Sequence, residues 1–118
     1  FKAKLIGDRG PNTEAITLAY DPNTQVLFFG ESNSKRVSCW NTAMPFKKES
    51  TDTVYKNDNL IFVTDILVDR NGELWFMSNA HPPVVDGPKM TSKAPLIRIM
   101  KMNPKEAIKG TRCDLPFK

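Results

Sequence analysis

Two stretches of the chain have the residue pattern of a β-hairpin, with apolar and β-branched runs on either side of a short polar turn. The first covers residues 15–30 around a turn at 21–24, and the second covers residues 62–78 around a turn at 69–72. The turns are rich in Asp and Asn, which tolerate tight backbone angles and hydrogen-bond their own main chain. The pattern therefore predicts two antiparallel hairpins.

The two predicted hairpins also repeat each other without a gap over sixteen residues. The matched positions, 48 residues apart, are Leu18 with Ile66, Asp21 with Asp69, Asn23 with Asn71, Gln25 with Glu73, Val26 with Leu74, and Phe28 with Phe76. A period of this size is typical of β-propellers, in which one four-stranded unit recurs every ~40–50 residues.

Further elements are predicted after each hairpin. Residues 36–40 and 95–100 each predict a third strand, and residues 51–55 predict an outer fourth strand for the first unit. Near the end of the chain, Asn103 followed by Pro is a helix-start signal, because Asn caps a helix and Pro suits its first position. Gly110 supplies the stop signal of that short helix.

These elements predict an all-β chain that forms about two blades of a six-bladed β-propeller, with one short C-terminal helix. We expect one blade at residues 12–59, a second at 60–103, and a tail at 104–118, all within a single propeller domain. Two blades leave sheet faces uncovered, and a closed ring of blades removes that problem. The chain opens at Phe1 with no leader, so we expect a processed protein or a piece of a longer one.

Composition limits the classes of partner. The 118 residues are 40% hydrophobic, which is enough for a core, and 17 Lys and Arg against 13 Asp and Glu give a net charge of +4. The basic residues are dispersed along the chain, which disfavours nucleic-acid binding. No apolar run approaches the ~20 residues that a membrane span needs. We therefore expect neither nucleic acid nor a membrane as a partner.

The cysteines and acidic residues do not predict a metal site. Cys39 and Cys113 are far apart in sequence and His81 is the only histidine, so no zinc-ligand spacing is present. The turn at 69–72 resembles the start of a calcium loop but lacks its later acidic ligands, and we interpret it as a hairpin turn. Without further information the two cysteines fit either one disulfide or two buried thiols. We expect no metal and no cofactor.

A resemblance to a known family comes from particular motifs. Residues 62–79, in which an Asp-x-x-Gly turn precedes Leu-Trp-Phe-Met-Ser-Asn, resemble the C-terminal part of the yellow / major royal jelly protein family. Residues 26–32 and 37–41 fit the same family, and the ending 112–118 is similar to that of its sand-fly salivary members. The resemblance covers nearly the whole chain. It implies a secreted salivary propeller, completed by an N-terminal portion, that binds biogenic amines such as serotonin, catecholamines and histamine.

The resemblance also implies site residues. In the amine-binding members a threonine hydroxyl and an asparagine amide hold the amino group in the central channel. The matching residues here are Thr64 and Asn79, with His81 contributing walls at a position where relatives carry an aromatic ring. The residues agree in part, because an ammonium needs converging oxygen acceptors and the two hairpin arms bring Thr64 and Asn79 together. The family also implies a disulfide between Cys39 and Cys113.

Each of these residues has a simpler structural interpretation. Thr64 is a good strand former, Asn79 fits the start of a loop, and Asp65 fits either a ligand counter-ion or a main-chain contact. Several aromatic residues are expected to pack in the core or between blades rather than form a ligand cage. They are Phe28, Phe29, Trp75 and Phe76, together with Trp40 beside the disulfide.

The resemblance implies three possible functions. The leading expectation is a secreted amine-binding protein without catalysis, which counters host haemostasis and inflammation during blood feeding. The second is a dopachrome-converting enzyme, for which His81 is the one candidate proton carrier in this chain. The third is a structural or nutritional protein of the royal-jelly kind. No serine–histidine–aspartate set and no pair of catalytic carboxylates can be assembled from the sequence, so we predict no catalytic residues.

Overall fold

A computed structural model of the chain describes residues 2–11, 14–31, 34–58, 62–79 and 97–115. These residues form mainly β-strands, with one short α-helix near the C-terminus of the described part. The elements are β1 (Thr17–Asp21), β2 (Val26–Glu31), β3 (Arg36–Asn41), β4 (Thr51–Lys56), β5 (Phe62–Val68), β6 (Leu74–Asn79), β7 (Ile97–Met102) and α1 (Pro104–Ile108).

The strands form two antiparallel sheets in sequence order. The first sheet is β1-β2-β3-β4, and the second, in the described residues, is β5-β6-β7. Both predicted hairpins are confirmed, as are the third strand of each unit and the outer fourth strand of the first. The third strand of the second unit begins at Ile97 and ends at Met102, and the first two residues of the predicted strand, 95 and 96, lie outside the described residues.

The gap-free repeat holds on the second strand and slips by one residue on the first. Val26 and Leu74, like Phe28 and Phe76, lie in the same core. Phe28 pairs with Ala19 and Phe76 pairs with Ile66, so the buried Ile66 corresponds in space to Ala19 and not to the exposed Leu18. The cause is the turn: four residues separate the paired Asp21 and Val26 of the first hairpin.

The second hairpin closes over three residues. The Asp69 N–H donates to the Glu73 carbonyl, and the Gly72 N–H donates back to Asp69. Gly72 has φ 81°, which glycine adopts without strain, and this conformation permits the shorter loop.

The core lies between the two sheets. Its buried residues are Val26, Phe28, Val37 and Cys39 of the first sheet, Val63, Ile66, Leu74 and Phe76 of the second, and Ile108 and Cys113 of the tail. The two sheets approach closely at Gly30, where an added Cβ would lie 2.6 Å from Val63 Cγ1. β1 contacts β5 directly, so the first strands of the two sheets are neighbours.

Trp75 is 37% exposed in this chain, unlike the buried Phe28, Phe29 and Phe76, because its face of the second sheet points away from the first sheet. Its packing between blades involves a blade outside this chain and stays a prediction. The prediction for Trp40 is wrong. Trp40 is not in the core beside the disulfide, since successive strand residues face opposite sides and Cys39 takes the inner one. The Trp40 indole instead donates to the Met44 carbonyl and packs edge-on against Phe46.

The C-terminal tail connects the two sheets. The Asn103 side chain caps α1 by accepting from Glu106 N–H, and Gly110 has φ 78° beyond its end, as predicted. The tail then reaches the first sheet, where Cys113 forms a disulfide with Cys39 on β3. Asn41 donates to the Cys113 carbonyl at 3.0 Å and fixes the same junction.

The N-terminal residues cover part of the other face of the first sheet. Glu31 is buried and accepts from both Arg9 and Arg36, while the Arg9 guanidinium lies 4.3 Å from the centre of the Phe29 ring. The shared carboxylate compensates two guanidinium groups that would be costly to bury alone. No helix in the described part of the chain is long and apolar enough to cross a membrane.

Candidate functional site

Thr64 and Asn79 lie at the same end of the second sheet. Thr64 is near the start of β5 and Asn79 ends β6, so the antiparallel pairing brings these positions together. The Asn79 Nδ2 group donates a hydrogen bond of 2.9 Å to Thr64 Oγ1. Both side chains are half-buried in this chain.

A β-bulge places Thr64 against Asn79. Val63 pairs with Ser78 and Asp65 pairs with Met77, so Thr64 is an extra residue without a partner in the ladder. A bulge re-aims the side chains around it, and bulges are common next to functional sites. The hairpin pattern of the sequence predicts that the strand ends meet, but it does not predict this bulge.

The hydrogen bond between Asn79 and Thr64 leaves an oxygen acceptor on each side chain. Because the Asn79 amide nitrogen donates to Thr64, the Asn79 Oδ1 remains as an acceptor, and the Thr64 oxygen keeps a second lone pair. Two oxygen acceptors side by side suit a ligand with several donors, such as an ammonium group. The arrangement contains no charged group of its own.

Asp65 follows Thr64 and faces the same side of the sheet. It lines a groove of about 580 Å³ on the outer face of the second sheet. The apolar floor of the groove is formed mainly by Leu67, Trp75, Met77 and Ile99. Asp65 is exposed, and its carboxylate makes no hydrogen bond or ion pair among the described residues.

A second carboxylate, Asp69, lines the far end of this groove and is already engaged. The Trp75 indole N–H donates to it at 2.7 Å, and this bond is the main reason that the pKa of Asp69 lies below its usual value. The backbone N–H groups of Glu73 and Asn71 and the charge of Lys101 lower the pKa further, while desolvation opposes them. Asp69 therefore serves the hairpin turn.

The remaining predicted site residues fall in different places. His81 lies outside the described residues. The cysteine pair is bonded, as the resemblance implies, but it is in the core rather than beside Thr64 and Asn79. Within the described ranges no three His, Cys, Asp or Glu side chains are grouped so that they could hold a metal ion.

Comparison with known proteins identifies the family of this chain. The chain matches the family described as "Major royal jelly protein" over residues 2–113. It is 54% identical over 112 residues to yellow-related salivary protein M35 of Phlebotomus duboscqi. The matched region covers 94% of this chain and 28% of that protein.

Two further relatives are similar over the same region. Yellow-related salivary protein SP04 of Phlebotomus argentipes is 50% identical over 118 residues, covering 98% of this chain and 29% of the relative. Yellow-related salivary protein LJM11 of Lutzomyia longipalpis is 50% identical over 114 residues, covering 95% of this chain and 29% of the relative. The chain thus spans under a third of the length of these relatives. It belongs to the major royal jelly protein (yellow) family, and its two sheets are part of that family's β-propeller fold.

Proposed function

We propose that this chain is the C-terminal part of a secreted salivary protein that sequesters biogenic amines in the central channel of a β-propeller. The salivary relatives support secretion in saliva. The observation that carries amine binding is the Thr64–Asn79 pair, which presents two oxygen acceptors at one end of β5. A role in binding serotonin, catecholamines or histamine would counter host haemostasis and inflammation during blood feeding.

The position of β5 supports a channel site. In a propeller the sheets radiate from an axis, and the strands nearest the axis lie closest to one another. Here β1 and β5, the first strands of the two sheets, contact each other. Residues on β5 would therefore line the channel, and the blades outside this chain would supply its other walls.

Isothermal titration of the full-length protein with serotonin, histamine and noradrenaline tests the proposal. We expect saturable binding of at least one amine with one site per molecule. A correctly folded full-length protein that releases no heat with any of the three amines, yet forms defined oligomers, would favour the royal-jelly type of structural role.

Two substitutions connect binding to the site. Thr64→Val removes the hydroxyl with little change of shape, and Asn79→Ala removes the amide. Each should weaken amine binding about tenfold, because one hydrogen bond to a charged group is lost. Thr51→Val on β4, the strand of the first sheet farthest from β1, and Asn71→Ala in the second turn are matched controls, and both should bind like the unmodified protein.

The proposal assigns no chemical step to this site. We therefore expect the full-length protein not to accelerate the decay of dopachrome. If it does, the His81→Ala variant would test the enzyme alternative, in which His81 carries the proton. A rate that falls in this variant would replace the binding proposal by a catalytic one.

A further inference from the structure

We propose that Asp65 is the residue that selects a positively charged ligand at the Thr64–Asn79 site. The inference rests on the proposed amine-binding function and adds the group that distinguishes an ammonium from a neutral ligand. A threonine hydroxyl and an amide oxygen can accept hydrogen bonds from an ammonium, an alcohol or water. An anionic group beside them would add a preference for the charged ligand.

The bulge puts Asp65 on the same face as the pair. Consecutive strand residues ordinarily face opposite sides of a sheet, but the extra residue at a bulge breaks this alternation. Thr64 bonds Asn79, and Asp65 pairs with Met77, which precedes Asn79 by two residues and so faces the same side. Thr64 and Asp65 thus both serve one face, although they are neighbours in sequence.

The distances typical of a sheet bring these groups within reach of one ligand. Asn79 is the diagonal neighbour of Asp65 across the two strands, because Asp65 is directly opposite Met77. Diagonal neighbours in an antiparallel ladder are ~7–8 Å apart, which leaves room for an amino group between their side chains. An ammonium bound by Thr64 and Asn79 would therefore meet the Asp65 carboxylate.

Asp65 is also the carboxylate of this surface that no described residue engages. Among the described residues its side chain has no hydrogen-bond or ion-pair partner. Asp69, the other carboxylate that lines the groove, is held by the Trp75 indole and by backbone N–H groups of the turn. A main-chain contact, the structural interpretation of Asp65, is absent from the described hydrogen bonds.

The experiment compares a cation with a neutral ligand of the same shape. Tryptamine and indole-3-ethanol differ in an amino group against a hydroxyl, and their affinities for the full-length protein are measured by isothermal titration. In the unmodified protein we expect tryptamine to bind more tightly, by a ratio that falls as salt is added. Asp65→Asn should lower tryptamine affinity about tenfold and leave indole-3-ethanol affinity unchanged.

Two variants make the result specific. Asp58→Asn removes the same charge after β4 and should leave the ratio unchanged, while Asp65→Glu keeps the charge and should retain the preference for tryptamine. The affinity ratio is an internal reference, so a partial loss of folded protein does not alter the conclusion. If Asp65→Asn does not fold, Asp65→Ser removes the same charge: a ratio that falls in this variant would support the inference, and an unchanged ratio would overturn it.

The outcomes separate the two proposals. Failure of the unmodified protein to bind any amine would overturn amine binding itself. Binding by the unmodified protein with an equal ratio and equal salt dependence in Asp65→Asn would leave amine binding intact and remove Asp65 from charge selection.

Discussion

At the scale of single residues, the Asn79 side chain is held by one neighbour. Its nitrogen donates to Thr64, which leaves the amide oxygen as an acceptor whose position is already arranged. A preorganised acceptor of this kind loses little conformational freedom on binding. The Asp69 carboxylate on the same sheet is also held in place by hydrogen bonds. Its role is structural, and these bonds lower its pKa.

The lowered pKa of Asp69 predicts a pH-dependent stability. A carboxyl group whose pKa is lower in the folded than in the unfolded state stabilises the fold above the unfolded pKa, and this contribution is lost as the pH falls through the folded value. We expect Asp69→Asn to lower the thermal midpoint of the full-length protein at pH 7, with a difference that shrinks toward about pH 2. Melting curves across this range measure it.

The exposed Asp58→Asn variant is the control for the loss of one charge. It should show no difference that depends on pH in this manner. An Asp69→Asn variant that is destabilised equally at neutral and acidic pH would contradict the assignment.

At the scale of elements, turn chemistry predicted both hairpins, and capping chemistry predicted α1 from Asn103 to its stop near Gly110. The one-residue slip between the hairpins could not be predicted from the repeat, because both turns start with Asp-x-Asn. Their loop lengths differ because the residue with a positive φ is Gln25 in the first turn and Gly72 in the second. The bulge at Thr64 likewise depends on pairing with β6, and a lone threonine carries no signal for it.

The tail depends on its disulfide, which predicts an effect of reduction. Cys39 and Cys113 are 74 residues apart, and closing a loop of this length restricts the unfolded chain by about 4 kcal/mol in the chain-entropy account. Replacing both cysteines by Ala should lower the free energy of unfolding of the full-length protein by about that amount. Urea unfolding monitored by circular dichroism measures the change.

Reductant distinguishes the bond from side-chain packing. It should destabilise the unmodified protein and leave the double Ala variant unchanged. A double variant that is as stable as the oxidised protein would show that the buried contacts of Ile108 hold the tail by themselves.

At the scale of the whole molecule, both sheets have an outward face with exposed apolar side chains. Leu18 and Tyr20 lie on the first sheet, and Leu67, Trp75 and Ile99 lie on the second. The period of the repeat predicted that each sheet would need a neighbour on either side. The walls contributed by those neighbours could not be predicted, because they belong to other parts of the propeller.

These exposed apolar faces predict that one pair of substitutions has opposite effects in the isolated chain and in the full-length protein. In the isolated 118-residue chain, Leu67→Lys with Ile99→Lys should reduce binding of the dye ANS and self-association, because less apolar surface is exposed. In the full-length protein the same pair should impair folding, because the charges would be buried between blades. Dye fluorescence, sedimentation and yield of folded protein measure these effects.

Lys56→Glu with Lys35→Glu is a control pair at exposed positions of the first sheet and should change neither property. A full-length protein that tolerates lysines at 67 and 99 would show that no blade covers this face.

The disulfide has a consequence for how the protein responds to a protease. It joins β3 to the residues that follow α1, so any single backbone cut between positions 39 and 113 leaves both pieces tied through sulfur. A nicked molecule would run as two bands only after thiol treatment and would keep its shape beforehand. A single cleavage of the backbone in this region therefore need not inactivate the protein.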